Sequence, residues 1–265
     1  MNKKIIAIFG ALLVAVAIVV IGSVIFTVSS VEVRFRSENL VQAAADCEEE
    51  ILSVCKGKSI IVFDEEELKQ KAEKMLSYIE VVSVERVFPS KLIVYARERY
   101  EAYVIAYGNE YLFLDSTAKV LRISNSKTSS YTAGGEECVE VKVDYDDIVS
   151  CTVGEYISFK HDAQSEALKI LASSATWAEG DYEQSMNAFK LRQYLSQVDL
   201  TNYPQAVVKM AAGAEFTLLS YYHDVEKFLR YMNAFYAQQF TAQDRINAKA
   251  TVMFDEEAQK FVVTY

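Results

Sequence analysis

The chain has 265 residues, of which 51% are hydrophobic, and its 37 acidic side chains outnumber 27 basic ones to give a net charge of -10. Such a length accommodates two modest domains, each with its own core. The acidic balance argues against nucleic acid as a partner, because phosphate binding needs clustered Lys and Arg.

The apolar excess is concentrated at the start. Residues 5–28 carry no charge, and a helix of that length at roughly 1.5 Å per residue reaches about 36 Å, against about 30 Å of hydrocarbon. Two readings compete: a retained membrane helix, and a cleaved signal peptide, whose apolar region is usually ~7–15 residues long and ends in small residues. Ala15 and Ala17 supply small residues, but the apolar run continues well past them, which favours the retained helix. Lys3 and Lys4 flank its near side, so residues 1–4 are expected to stay in the cytoplasm and the rest to be exported.

After this segment, Val31, Val33 and Phe35 alternate as on one face of a short strand. A helix is predicted over residues 46–56, with Ile51, Leu52 and Cys55 at helical spacing and Gly57 suited to its C-terminal cap. Ser59 to Phe63, SIIVF, reads as a short strand. Asp64 then opens a second helix over residues 65–79, with Glu67 completing a capping-box pattern and Leu68, Ala72, Met75, Leu76 and Ile79 forming the buried stripe. Next, Val82, Val84, Arg86 and Phe88 alternate up to Pro89, and Leu92, Val94 and Ala96 continue beyond it. Proline cannot donate to a ladder, so Pro89 belongs in the turn of a hairpin. Strand, helix, short strand, helix and hairpin make a compact α+β unit.

Four cysteines in exported sequence permit disulfides. Cys47 and Cys55, eight helical positions apart, stand roughly 12 Å from each other, beyond the ~7 Å reach of a bridge. Cys138 and Cys151 flank VEVKV, an acidic turn over residues 144–147, and IVS. Read as a hairpin, that stretch makes them cross-strand neighbours and candidates for a bridge in oxidising surroundings.

The order of these elements, together with V-x-x-V-x-R-x-F-P-x-K-L-I-V-x-A-R-E-R, resembles the polypeptide-transport-associated (POTRA) domain of the bacterial cell-division family FtsQ, called DivIB in Gram-positive bacteria. Arg86, Pro89, Glu98 and Arg99 stand at the positions of the family pattern. The proline that usually follows is replaced by Tyr100-Glu101. The resemblance continues more faintly to the C-terminus. Asp115 and Ser116 match a strand turn, Val198, Asp199, Leu200 and Thr201 match a strand, and Asp224, Glu226, Lys227, Phe228 and Leu229 match a helix. The closing hairpin has Ala250 and Met253 where glycine and aspartate are common.

The resemblance implies an α+β fold: a short tail over 1–4, a single transmembrane helix over 5–28, a small POTRA domain over 29–99 in the order β-α-β-α-β-β, and a larger mixed β-domain with flanking helices over 100–265. It implies a non-catalytic divisome scaffold at the septum, with FtsB/DivIC-like and FtsL-like single-pass proteins, a septal transpeptidase and a glycan polymerase as partners, and no cofactor. An export or envelope-assembly component bearing POTRA domains is the alternative, although neither a barrel nor repeated units are visible.

Catalytic patterns are sparse. Ser53 to Lys56, Ser116 to Lys119 and Ser124 to Lys127 match Ser-x-x-K, the nucleophile and base of penicillin-binding enzymes. None has a Lys-Thr-Gly partner, and chance supplies a match or two in a chain with these residues. His161 and His223 lack companions at zinc-ligand spacing, and Asp144, Asp146 and Asp147 lack the glycine of a calcium loop.

The closing hairpin is different in kind. Alternating strands joined by DEEAQ end the chain without charge or proline to blunt an edge. The residues alone allow either a strand packed on its own domain or an open edge that accepts a partner strand. The resemblance implies the second, assigning partner binding to Lys249, Thr251, Met253, Phe254, Lys260, Phe261, Val262, Val263, Thr264 and Tyr265 as a segment.

Overall fold

The computed structural model describes residues 12–14, 25–35, 41–132, 137–173, 194–258 and 260–265. Most of the expected membrane segment, residues 5–28, lies outside them, and no helix among the described residues is long and apolar enough to cross a membrane. The chain divides into two compact units, Met1–Arg99 and Tyr100–Tyr265.

The first unit contains β1 (Ser30–Phe35), α1 (Val41–Cys55), α2 (Glu65–Met75), β2 (Ile79–Val87) and β3 (Lys91–Glu98). Its sheet has the order β1-β3-β2, with β3 antiparallel to β2 and parallel to β1. The hairpin around Pro89 is present, and β3 buries Leu92, Val94 and Ala96 against Ile51 and Cys55 of α1 and Leu68 and Ala72 of α2. Burial pushes the thiols of Cys47 and Cys55 up to about 11.

Four local expectations need correction. Helix α1 begins at Val41 rather than at residue 46, because VQAAA is a good helix-forming extension. Helix α2 stops at Met75, which is half exposed, and Ile79 opens β2 instead of closing the helix. Asp64 caps α2 through the amides of Glu66 and Glu67 at 3.0 and 3.1 Å, while the Glu67 carboxylate turns to Lys58 and Lys71. In β2 a bulge between Val81 and Ser83 exposes Val82 and sends Val81 and Val84 inward.

The largest departure is SIIVF, which is not a strand beyond a single bridge from Ser59 to Thr27. The Arg86 guanidinium donates to the carbonyls of Ile61 and Phe63 at 3.1 and 2.9 Å. A side chain thus occupies acceptors that a neighbouring strand would need, and the unit runs β-α-α-β-β rather than β-α-β-α-β-β. The run Arg-Glu-Arg has its own explanation. Arg97 pairs with Glu80 across the hairpin, and the buried Arg99 donates to the Glu73 carboxylate at 3.0 Å and to the Ile79 carbonyl at 3.3 Å.

The second unit contains β4 (Tyr103–Tyr107), β5 (Glu110–Leu114), β6 (Val120–Ser124), β7 (Val139–Lys142), β8 (Ile148–Ser150), β9 (Ser158–Phe159), α3 (Asp162–Ser173) and β10 (Leu195–Asp199). It continues with β11 (Ala206–Met210), β12 (Glu215–Leu218), α4 (Val225–Gln238), the short α5 (Asp244–Asn247), β13 (Lys249–Asp255) and β14 (Lys260–Thr264). Among the described residues nine strands form one sheet in the order β14-β13-β12-β11-β10-β7-β4-β5-β6. The pairs β12 with β13, β7 with β10 and β4 with β7 are parallel. The core joins sheet residues such as Tyr103, Ile105, Val198, Phe216 and Val252 to Leu168 of α3 and to Phe228 and Met232 of α4.

Polar contacts fix the details. The Tyr103 hydroxyl donates to the Leu168 carbonyl at 2.9 Å, and Gln164 donates to the Leu200 carbonyl at 3.2 Å, tying α3 to the sheet. Asp115 closes its turn by accepting from the amides of Thr117 and Lys119 at 2.8 and 2.9 Å. Glu101, fully buried, receives Arg122 at 2.6 Å and the Ser130 amide at 2.9 Å.

The expected hairpin between Cys138 and Cys151 is absent. Both edges of β7 are taken by β4 and β10, so β8 pairs with β9 in a separate sheet, after a 3-10 turn at Tyr145–Asp147. The two cysteines are therefore not cross-strand neighbours, and no disulfide joins any of the four.

A candidate partner-binding edge

The terminal hairpin forms because KATVMFD and KFVVT alternate and Asp255 caps the turn, accepting from the amides of Glu257 and Ala258 at 3.0 Å each. Its register sets Thr251 opposite Thr264, Val252 opposite Val263, Met253 opposite Val262, Phe254 opposite Phe261 and Asp255 opposite Lys260. β14 ends the sheet, and among the described residues β13 is its one strand neighbour.

Alternation divides the ten expected residues between two faces. Phe254, Phe261, Val263 and Tyr265 face α4. The Phe261 ring meets those of Phe228, Tyr231 and Phe254 at 5.0, 5.1 and 5.2 Å, and Tyr265 meets Phe235 and Phe240 at 5.7 and 5.6 Å. Lys249, Thr251, Met253, Lys260, Val262 and Thr264 occupy the opposite face, where all are exposed or half buried. The aromatic backing from Phe228, Tyr231 and Phe235 was not among the sequence expectations, although their spacing of three and four residues puts them on one helical face.

This helix is set by its own first turn. The Asp224 carboxylate caps it by accepting from the Lys227 amide at 3.0 Å, and the Lys227 ammonium beside it holds that carboxyl below its usual range. A backed strand with an open edge can add a partner's strand by main-chain hydrogen bonding, with alternate side chains fixing register.

The other sequence candidates do not converge. Ser53 sits in the last turns of α1 and donates to the Glu50 carbonyl at 2.6 Å, Ser116 lies in the Asp115 turn, and Lys127 pairs with Glu140 at 2.9 Å. His161 stacks on Tyr203 with ring centroids 3.7 Å apart, and His223 packs against Tyr222. Asp147 is engaged by Gln164 and Lys160, and no group of three or more His, Cys, Asp or Glu among the described residues is arranged to hold a metal ion.

No curated protein matches the chain. The family model for the POTRA domain, FtsQ-type, matches residues 48–99, ending where the first unit ends. Residues 48–99 accordingly match a POTRA domain of the FtsQ type, which supports the resemblance to the FtsQ/DivIB family of cell-division proteins.

Proposed function

We propose that the chain is a single-pass scaffold of the bacterial septum that performs no chemistry of its own. Residues 5–28 hold it in the membrane with residues 1–4 in the cytoplasm, and both folded units lie outside. The POTRA unit offers one binding surface. The terminal hairpin offers another, to which an FtsB/DivIC-like protein adds a strand and brings an FtsL-like partner, so that the septal transpeptidase and glycan polymerase are held nearby. Confinement to one membrane raises effective concentration, so each contact can be weak and the assembly still specific. The observation that carries the reading is an FtsQ-type POTRA domain in a chain whose last strand ends a nine-stranded sheet.

Deleting residues 247–265 would strip buried Ala250 and Val252 from the core, so loss of binding would be ambiguous. Site-specific photo-crosslinking avoids this. A photoreactive residue at Thr264 on β14 is compared with one at Ile123 on β6, the opposite end of the sheet. Cross-links to single-pass division proteins from position 264 and not from 123 support the reading; the reverse pattern, or none at 264, rejects it.

A further inference from the structure

The first unit has one apolar end, knit from three pieces. Backbone hydrogen bonds run from Ile60 to the Phe26 carbonyl and from Val28 to the Lys58 carbonyl, each at 2.8 Å, and from Gly57 to the Val28 carbonyl at 3.0 Å. The hairpin tip joins them, as Ser29 donates to the Ser90 carbonyl at 2.8 Å and the Phe88 and Phe26 rings meet edge to face at 6.1 Å. Arg86 holds the third piece by its bonds to Ile61 and Phe63. At this end Ile25, Ile61, Val62 and Phe88 are 48%, 54%, 81% and 59% exposed. Four large apolar side chains in one place are more than the scattered exposure that any soluble surface carries.

The chain itself indicates the occupant. Residues 5–24 are uncharged and run directly into Ile25, and twenty residues of helix span about 30 Å, the thickness of the hydrocarbon layer. Ile25 and Phe26 then fall at the headgroup level, where aromatic side chains are favoured. Because Val28 is fixed by hydrogen bonds to Gly57 and Lys58, no free linker separates the bilayer from Ile61, Val62 and Phe88. The four residue steps from Val24 to Val28 can extend at most about 14 Å.

We propose that this end of the first unit rests on the bilayer, with Val62 and Phe88 seated among lipid headgroups and upper acyl chains. The inference depends on the membrane-spanning reading, with the crossing confined to residues 5–24 because Phe26 and Val28 pack into the first unit, and it adds that the POTRA unit has a fixed face toward the lipid. The bilayer thereby sets the direction in which the domain presents its other surfaces.

The test uses the full chain reconstituted in phosphatidylcholine vesicles. Val62→Trp and Phe88→Trp, each with Trp177→Phe, report position by quenching from lipids brominated in the upper acyl chains. Val149→Trp, at a position 65% exposed in the second unit, is the reference. The expected result is loss of emission at positions 62 and 88 with none at 149. Extraction of the chain by alkali would overturn the membrane-spanning reading. Retention against alkali with unquenched probes at 62 and 88 would overturn this inference alone. So would probes there that are shielded from aqueous iodide yet untouched by bromolipid, since a second copy or a partner protein would then cover the patch.

Discussion

Glu73 in the first unit and Glu101 in the second have the same task in cores of different size. Each is a carboxylate taken from water and met by an arginine, Arg99 at 3.0 Å and Arg122 at 2.6 Å. The Glu73 side chain keeps 13% of its exposure and also accepts from the Val81 amide at 3.0 Å, whereas Glu101 keeps none and also accepts from the Ser130 amide and hydroxyl. A three-stranded sheet under two helices cannot exclude water as fully as a nine-stranded one, because buried fraction rises with domain size. Unit size therefore accounts for the drier carboxylate of the larger unit but not for the arginines, since Arg99 in the smaller unit keeps 5% of its side-chain exposure and Arg122 keeps 23%.

Substituting the two glutamates measures that difference. Glu101→Ala removes the carboxylate that accepts from Arg122 and the Ser130 amide, leaving Arg122 its bond to the Thr128 carbonyl, and breaking a buried pair costs about 3–5 kcal/mol. Glu73→Ala is expected to have the same sign and at least the same size, since the arginine it leaves behind is the more buried of the two. Hydrogen exchange followed separately in each unit of the full chain reads both; a clearly larger loss from Glu101→Ala would show that burial of the carboxylate, not of the arginine left behind, governs the cost. A backbone comparison ranks next. Gly57 has φ +79 with open space where a Cβ would go, so Gly57→Ala carries only the left-handed cost of about 1–2 kcal/mol. Gly213 has φ +118, and a Cβ there would lie 2.3 Å from the Ile246 carbonyl oxygen. Gly213→Ala is expected to exceed Gly57→Ala because backbone must move as well, and thermal unfolding of the two variants checks the order.

The same contrast of scale decides what could be read from residues in order. The Pro89 hairpin was legible because alternation and a turn residue lie side by side, and the Asp64 cap because a cap is local. SIIVF misled because its composition suits a strand while its carbonyls go to Arg86, a long-range contact with no local sign. β7 was paired with the wrong strand for a related reason: its neighbours β4 and β10 are parallel, and parallel partners are joined by long crossovers rather than turns. At the candidate edge, alternation indicated the hairpin and its two faces. That β14 ends the sheet was not legible, since it depends on β13 joining β12, where Lys249 stands opposite Glu215.

The smallest expected effect concerns acid. Lys91 and then Arg34 hold the Glu32 carboxyl below its usual 4.5 in the first unit, and Lys127, with Gln197, does the same for Glu140 in the second. A carboxyl whose folded pKa is lowered adds stability above its unfolded value, and that contribution is lost as pH falls through the folded value. Both glutamates therefore act on the acid limb below about pH 4.5, and Glu32→Gln or Glu140→Gln should flatten it slightly. Salt separates them. Glu32 relies on two cations, whereas one of the bonds at Glu140 comes from the neutral amide of Gln197 at 3.0 Å, which ties β7 to β10. At about 1 M salt the Debye length shrinks to roughly 3 Å. The Glu32→Gln difference should then vanish from acid titrations, while part of the Glu140→Gln difference remains through its hydrogen bond. If salt erases both equally, the neutral bond adds nothing, and the two carboxylates are the same kind of surface pair despite the different sheets that carry them.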